Sequence, residues 1–338
     1  MTKKRIWGQL PPLPGEQLVD LVKQYEAAGL EGIWSSQTFG APFLPLSAAA
    51  VASDRLKLGT GIALAFTRSP LETACNIMDL DLISNGRAVL GLGSSAKSLI
   101  DAFGMEYGKP LTHMREVIGL VRRIVAEGHK GTLGRLEGEY HTLDLEHFRT
   151  LAPPVRTEIP IYMPAVFEKA VTMAGELADG LLSHPLWADK WIEDKVAASL
   201  KAGLDRGGRE RRQIDVNLMV FVAINEDRRQ AIEDTRANIA FYSQSPQYNR
   251  YFDYIGFGKE ARAIQEAFSR DDTEAMTAAC SDAMVETIAL VGTPDEVRAR
   301  MAERTALADA CTPVIPHFGL DEEKTAYYTR RIAEVFYD

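Results

Sequence analysis

Four short stretches join residue types that can do chemistry to the punctuation expected at strand ends: Ser36-Gln37-Thr38, Thr60-Gly61-Ile62, Gly93-Ser94-Ser95 and the lone His184. Hydroxyls and backbone N–H groups where a strand hands over to a helix suit an anion, which is the chemistry open to Ser94 and Ser95; simple N-capping is the structural alternative. Glycines at a strand tip let another group approach the backbone closely, as Gly59-Thr60-Gly61 and Gly91-Leu92-Gly93 would. Gln37 cannot ionise, and a threonine hydroxyl is too weak an acid to exchange protons near neutral pH, so Gln37 and Thr38 are expected to orient a ring or a substrate carbonyl by hydrogen bonding. His184 is the nearest candidate for a general acid, against the commoner role of a satisfied structural histidine. His113, inside a helix near its start, reads as a solvated or capping side chain. Phe39, Phe43, Phe66 and Trp187 offer walls for a mainly apolar substrate pocket, although each alone fits a core position. Cys75, Cys280 and Cys311 are odd in number and lack metal-ligand spacing, so no metal is expected and a reducing cytoplasm is.

The elements that must hold these residues follow from apolar periodicity. Leu56–Phe66 and Gly86–Ser95 read as buried strands, and Leu71, Ala74, Cys75 and Met78 between them fall on one helix face. Strand, helix and strand in so short a span make a parallel βαβ crossover. The same unit recurs along the chain: strands at Arg5–Leu10, Glu31–Ser36, Ile159–Met163, Gly180–Ser183, Val216–Ile224 and Cys311–Pro316, with helices at Gln17–Ala28, Pro110–Glu127, Trp187–Leu204, Arg228–Tyr242 and Glu322–Phe336. Thr293-Pro294-Asp295-Glu296 is a capping box with proline at the first helical position. Gly131–Leu143 reads as a hairpin excursion.

Eight strands each followed by helix predict an α/β fold, a (β/α)8 TIM barrel with insertions. It spans residues 1–338 as a single domain, with a helical insertion at 245–285. The polar strand ends would then ring one mouth. The rival is an open doubly wound sheet, for which Gly91-Leu-Gly-Ser-Ser-Ala96 matches a dinucleotide fingerprint, but no acidic strand end follows about 20 residues on. A net charge of −9 argues against nucleic acid or an acidic membrane surface as partner. Prolines 11, 12 and 14 interrupt any signal-peptide core, and no run approaches the ~20 apolar residues of a membrane span. The expected location is the cytoplasm, and the expected partner a small-molecule substrate.

The residues of Leu58–Pro70, Leu82–Ser94 and Leu290–Val297 resemble the luciferase-like monooxygenase superfamily, the bacterial-luciferase-like barrels. The nearer likeness is to its F420-dependent oxidoreductases, similar to methylenetetrahydromethanopterin reductase. Phe43-Leu-Pro-Leu46, Ile161-Tyr162, Gly175–Gly180 and Ile239–Tyr242 add to it. The resemblance implies a deazaflavin (F420) or, as the alternative, a flavin (FMN) across the barrel mouth. It implies a cis peptide in the third strand at Gly61-Ile62, with Thr60-Gly61 the other choice. Cofactor contacts would come from Ser36, Thr60, Gly61, Ile62, Gly93, Ser94 and Ser95, with Lys97 near enough to help. The second phosphate position, Ala165, Val166 and Phe167, departs from the family pattern, and Phe167 with Glu168 would crowd or repel a phosphate. Thr38 stands where many relatives have an acidic residue or His. The implied activity is hydride transfer between F420 and a small organic substrate. The alternatives are an FMN-dependent monooxygenase using dioxygen and a flavin-binding protein without catalysis. A homodimer is implied by the resemblance alone.

Overall fold

The computed structural model describes residues 4–37 and 40–337. Its strands are β1 (Arg5–Gln9), β2 (Gly32–Ser35), β3 (Lys57–Thr60), β4 (Ala63–Leu64), β5 (Ala88–Gly93), β6 (Gly134–Glu137), β7 (Thr142–Leu145), β8 (Ile161–Ala165), β9 (Gly180–Ser183), β10 (Asp215–Ile224), β11 (Leu290–Gly292) and β12 (Ala310–Val314). Pairing runs β10-β12-β1-β2-β3-β5-β8-β9, and β9 pairs with β10 again, so eight strands close on themselves. This is a (β/α)8 barrel, and the open-sheet alternative falls. β11 extends from β10, β4 from β5, and β6 with β7 forms the separate antiparallel hairpin expected at Gly131–Leu143.

The chain divides into two compact units. The amino-terminal unit takes Trp7–Pro164 and Leu177–Leu181. Its strands carry a stack of rings: Trp7 lies on Trp34 at 4.1 Å, and Tyr162 tilts against Trp34 at 5.6 Å. Strand glycines make room for these rings. A Cβ on Gly59 would sit 2.1 Å from the Trp34 ring, and one on Gly32 2.6 Å from Trp7. The close approach expected at Gly59 is therefore made by the protein's own indole. The single strand expected over Leu56–Phe66 is two pieces, β3 and β4, with a cis peptide at Gly61–Ile62 between them. Helix Pro70–Ile83 starts at Ser69, whose Oγ accepts the Glu72 N–H, and helix Pro110–Glu127 buries Met114, Val117, Ile118, Val121, Ile124 and Val125 as its periodicity predicts.

The carboxyl-terminal unit takes most of the chain from Leu182 onward, together with Ala165–Glu176 and the segment ending at Ile6. The capping box forms: Thr293 donates its N–H to Glu296 Oε2 at 2.9 Å, with Pro294 in the first turn. The Trp187–Leu204 stretch is helical from Asp189, with a π turn at Ile192–Val196 before helix Ala197–Arg206. Residues 245–285 contain helices Asn249–Ile255, Gly258–Ser269 and Thr273–Ala279 and enter helix Asp282–Ile288. No helix among the described residues is long and apolar enough to cross a membrane.

Candidate functional site

In the amino-terminal unit, the tip of β2 is bolted to the turn after β4. The Gln37 Oε1 accepts the Leu64 N–H at 3.0 Å and the Arg68 Nη2–H at 3.0 Å, while its Nε2 donates to Thr67 Oγ1 at 3.3 Å. Its backbone N–H donates to the Ile62 carbonyl at 3.1 Å. Both lone pairs of the amide oxygen are thus committed, leaving one N–H. Gln37 positions Arg68 and the Leu64 turn, a different task from the expected direct grip on a ring or carbonyl. Ser36 beside it is exposed. Thr38 and Phe39 lie outside the described residues.

Thr60 is buried, and its hydroxyl donates to the Gly91 carbonyl at 2.7 Å, tying β3 to β5. Gly93 leaves space for Ile62, since a Cβ there would lie 2.4 Å from Ile62 Cδ1 and 2.5 Å from Pro164. Both residues, expected against a cofactor, have these partners within the protein. Ser94 and Ser95 differ. They are half-buried, Ser95 takes a left-handed backbone (φ 57°), and its carbonyl accepts the Tyr107 hydroxyl at 3.0 Å. Their own N–H groups and hydroxyls make no hydrogen bond among the described residues. Successive free N–H groups about a left-handed residue form a concavity suited to an anion. Lys97 is turned to Asp101 at 2.6 Å and is not an added donor.

Two expected wall residues are core. Phe66 is buried and stacks on His113 at 3.8 Å, and Phe43 is buried under the Arg68 guanidinium at 5.6 Å. His113 is no surface cap: it is buried, lies 4.1 Å from the Tyr140 ring and faces His141 with Nε2 to Nε2 at 2.8 Å. Burial lowers the pKa of both imidazoles, and His113 further disfavours the charge of His141. This pair was missed because its members stand on a helix and a hairpin 28 residues apart.

In the carboxyl-terminal unit, the Val166 carbonyl accepts two indole N–H groups, from Trp187 at 3.2 Å and Trp191 at 3.0 Å. Trp187 is therefore a buried brace for the segment after β8 and not a pocket wall. Ala165 is buried, and Phe167 lies beneath the Arg250 guanidinium at 5.3 Å. Arg250 also pairs with Glu168, the first residue of helix Glu168–Leu177. His184 packs near Tyr242 (5.0 Å) and Tyr248 (5.7 Å), and its Nδ1 accepts the Leu186 N–H at 3.2 Å. That bond fixes the neutral tautomer with the proton on Nε2. Burial pushes its pKa down to about 4, so at neutral pH it is no general acid.

A family model described as luciferase-like monooxygenase matches residues 1–310. The chain belongs to that family. Members of the luciferase-like family are oxidoreductases or monooxygenases that use F420 or FMN. The chain is 33% identical to an uncharacterised Mycobacterium tuberculosis protein over 301 residues, 87% of this chain and 88% of the other. It is 30% identical to a 5,10-methylenetetrahydromethanopterin reductase of Methanolobus tindarius over 305 residues, again 87% and 88%. The solved F420-dependent tetrahydromethanopterin reductase of Methanopyrus kandleri superposes with a TM-score of 0.82 at 26% identity, covering 99% of this chain and 98% of that one. The (β/α)8 barrel expected from the strand pattern is thus the fold of this luciferase-like family.

Proposed function

We propose that this luciferase-like protein is an F420-dependent oxidoreductase that moves a hydride between the deazaflavin and a small organic substrate. The reading rests on the full-length likeness to the F420-dependent reductase of Methanopyrus kandleri, at 26% identity. The donor set at Ser94 and Ser95 agrees with it, because free N–H groups and hydroxyls suit a cofactor phosphate. When bound, F420 supplies or accepts the hydride. The protein's own part is positional: Ser94 and Ser95 hold an anion, Gln37 fixes the turn that carries Arg68, and Ile62 fills the space over Gly93. The net charge of −9 supports a small-molecule substrate over nucleic acid.

The second reading, a monooxygenase using reduced FMN and dioxygen, is favoured by the FMN enzymes within the family. Separate fluorescence and absorbance titrations decide between the two. F420 binding with no FMN binding, and no oxygen uptake on turnover, is the expected result. Tight FMN binding without F420 binding overturns it, and binding of neither would weaken both enzyme readings together.

A further inference from the structure

Arg68 is a half-buried cation with no ion-pair partner among the described residues. One guanidinium N–H goes to Gln37 Oε1 at 3.0 Å and another to the Leu64 carbonyl at 3.5 Å. Of its five donors, the remainder have no partner among the described residues. No carboxylate there lies within ion-pairing distance; Glu72, four residues on, acts on Arg68 only through space. Desolvation is the largest influence on the group and works against its charge. On one side it meets an apolar group, the Phe43 ring 5.6 Å away, and Leu64 and Phe66 near it in sequence are buried.

Two other arginines are more fully supplied with oxygens. Arg304, with 1% of its side chain exposed, reaches Asp189 and the carbonyls of Trp187, Thr287 and Ile288. Arg87 is held by five oxygens of the Ser53–Leu56 turn, Ala50 and Ser84. Arg68 contrasts with both. A desolvated guanidinium costs free energy unless an anion faces it, and its planar fork matches a carboxylate with two parallel hydrogen bonds.

We infer that Arg68, presented by Gln37, is the anchor for a carboxylate on the substrate, so that the substrate class is a monocarboxylic acid with an apolar alkyl or aryl body. The inference rests on the reading of the protein as a small-molecule oxidoreductase. A single positive charge set against Phe43 favours one negative charge and an apolar body over a phosphate dianion. The separate donor set at Ser94 and Ser95 leaves Arg68 free of the cofactor's phosphate. The residue at 37 is a positioning group: its neutral amide lends Arg68 a hydrogen bond without neutralising it.

The test measures binding of benzoate and hexanoate against benzamide and hexanamide by calorimetry, with and without F420, in the wild type and in R68Q and Q37E. The expected result is that the acids bind and the amides do not. R68Q is expected to weaken acid binding at least tenfold, roughly the value of a charge-assisted bond or more. Q37E places a carboxylate against Arg68 in an isosteric side chain and is expected to weaken the acids similarly, which keeps the test decisive even where R68Q fails to fold. F420 affinity is expected to stay unchanged in both variants. Acids that bind no better than amides, or that bind both variants as well as the wild type, overturn the inference. So does a loss of F420 affinity in R68Q with benzoate binding intact, which would assign Arg68 to the cofactor's own anions. Arg68-dependent acid binding by a protein that fails to bind F420 would sustain this inference while overturning the F420 reading.

Discussion

Leu186 donates its N–H to the Nδ1 of His184, and that single bond decides what the histidine can do. A ring whose Nδ1 is an acceptor and whose pKa is pushed to about 4 is neutral throughout the physiological range. The unfolded chain, by contrast, takes up a proton on this residue near the ordinary value of about 6.5. Between those two values the unfolded state binds more protons than the folded one. Stability from His184 is therefore complete above pH 6.5 and is lost as the pH falls toward 4, a contribution on the order of 2–3 kcal/mol. The lowered values of His113, His141 and His317 act with the same sign. In H184N the amide oxygen can accept the Leu186 N–H without titrating. Thermal melts from pH 7 to pH 4 are expected to fall less steeply for H184N than for the wild type, although its melting temperature at pH 7 is lower for loss of the ring beside Tyr242 and Tyr248. Parallel slopes would show that His184 is already accessible to protons in the fold.

At the scale of elements, two glycines of opposite character test the helix packing. Gly203 lies where helix Ala197–Arg206 meets helix Glu168–Leu177, and a Cβ there would stand 2.1 Å from the Thr172 carbonyl oxygen. The obstacle is backbone, so relief requires the helices to separate. G203A is expected to destabilise by about 3 kcal/mol. Gly119, exposed within helix Pro110–Glu127, has nothing within 4 Å of an added Cβ. G119A is expected to stabilise by about 0.5–1 kcal/mol through helix propensity alone. Chemical denaturation of both variants checks the pair, and a stabilising G203A would contradict the packing described. The sequence made such helices legible because a period of 3.6 is local: Pro110–Glu127 and Glu322–Phe336 have the bounds that pattern predicts. It did not reveal helix Phe43–Ala52, whose FLPLSAAAVA run is apolar on every side and carries no period. Strand ends could be read for the same local reason, which is why Gln37, Thr60 and Ser94 stood out. Their partners could not. Arg68 lies 31 residues from Gln37, Gly91 lies 31 from Thr60 and Arg250 lies 82 from Glu168, so only the fold tells a braced side chain from one free to meet a ligand.

For the molecule as a whole, helix Phe43–Ala52 poses a question that its own unit does not answer. It buries Phe43, Leu46, Ala49 and Ala50, yet leaves Leu44 72% and Val51 78% exposed, seven residues apart and so on one face. Helix Pro70–Ile83, which packs against it, exposes Leu82 (59%) and Ile83 (47%). Scattered apolar residues on a surface need no explanation, but a helix with no charged residue along its length does, because solvent-facing helices ordinarily carry a polar stripe. A second copy of the chain, meeting this face with its own, removes the apolar surface from water on both sides at once. The protein is therefore expected to run as a dimer in size-exclusion chromatography with light scattering. Two lysines in place of Leu44 and Val51 (L44K, V51K) would put like charges face to face across a twofold interface. They are expected to yield a folded monomer, since neither side chain contributes to the core. A wild type that stays monomeric across the accessible concentration range, or a dimer indifferent to both lysines, would leave this helix facing water and remove the reason given for its composition.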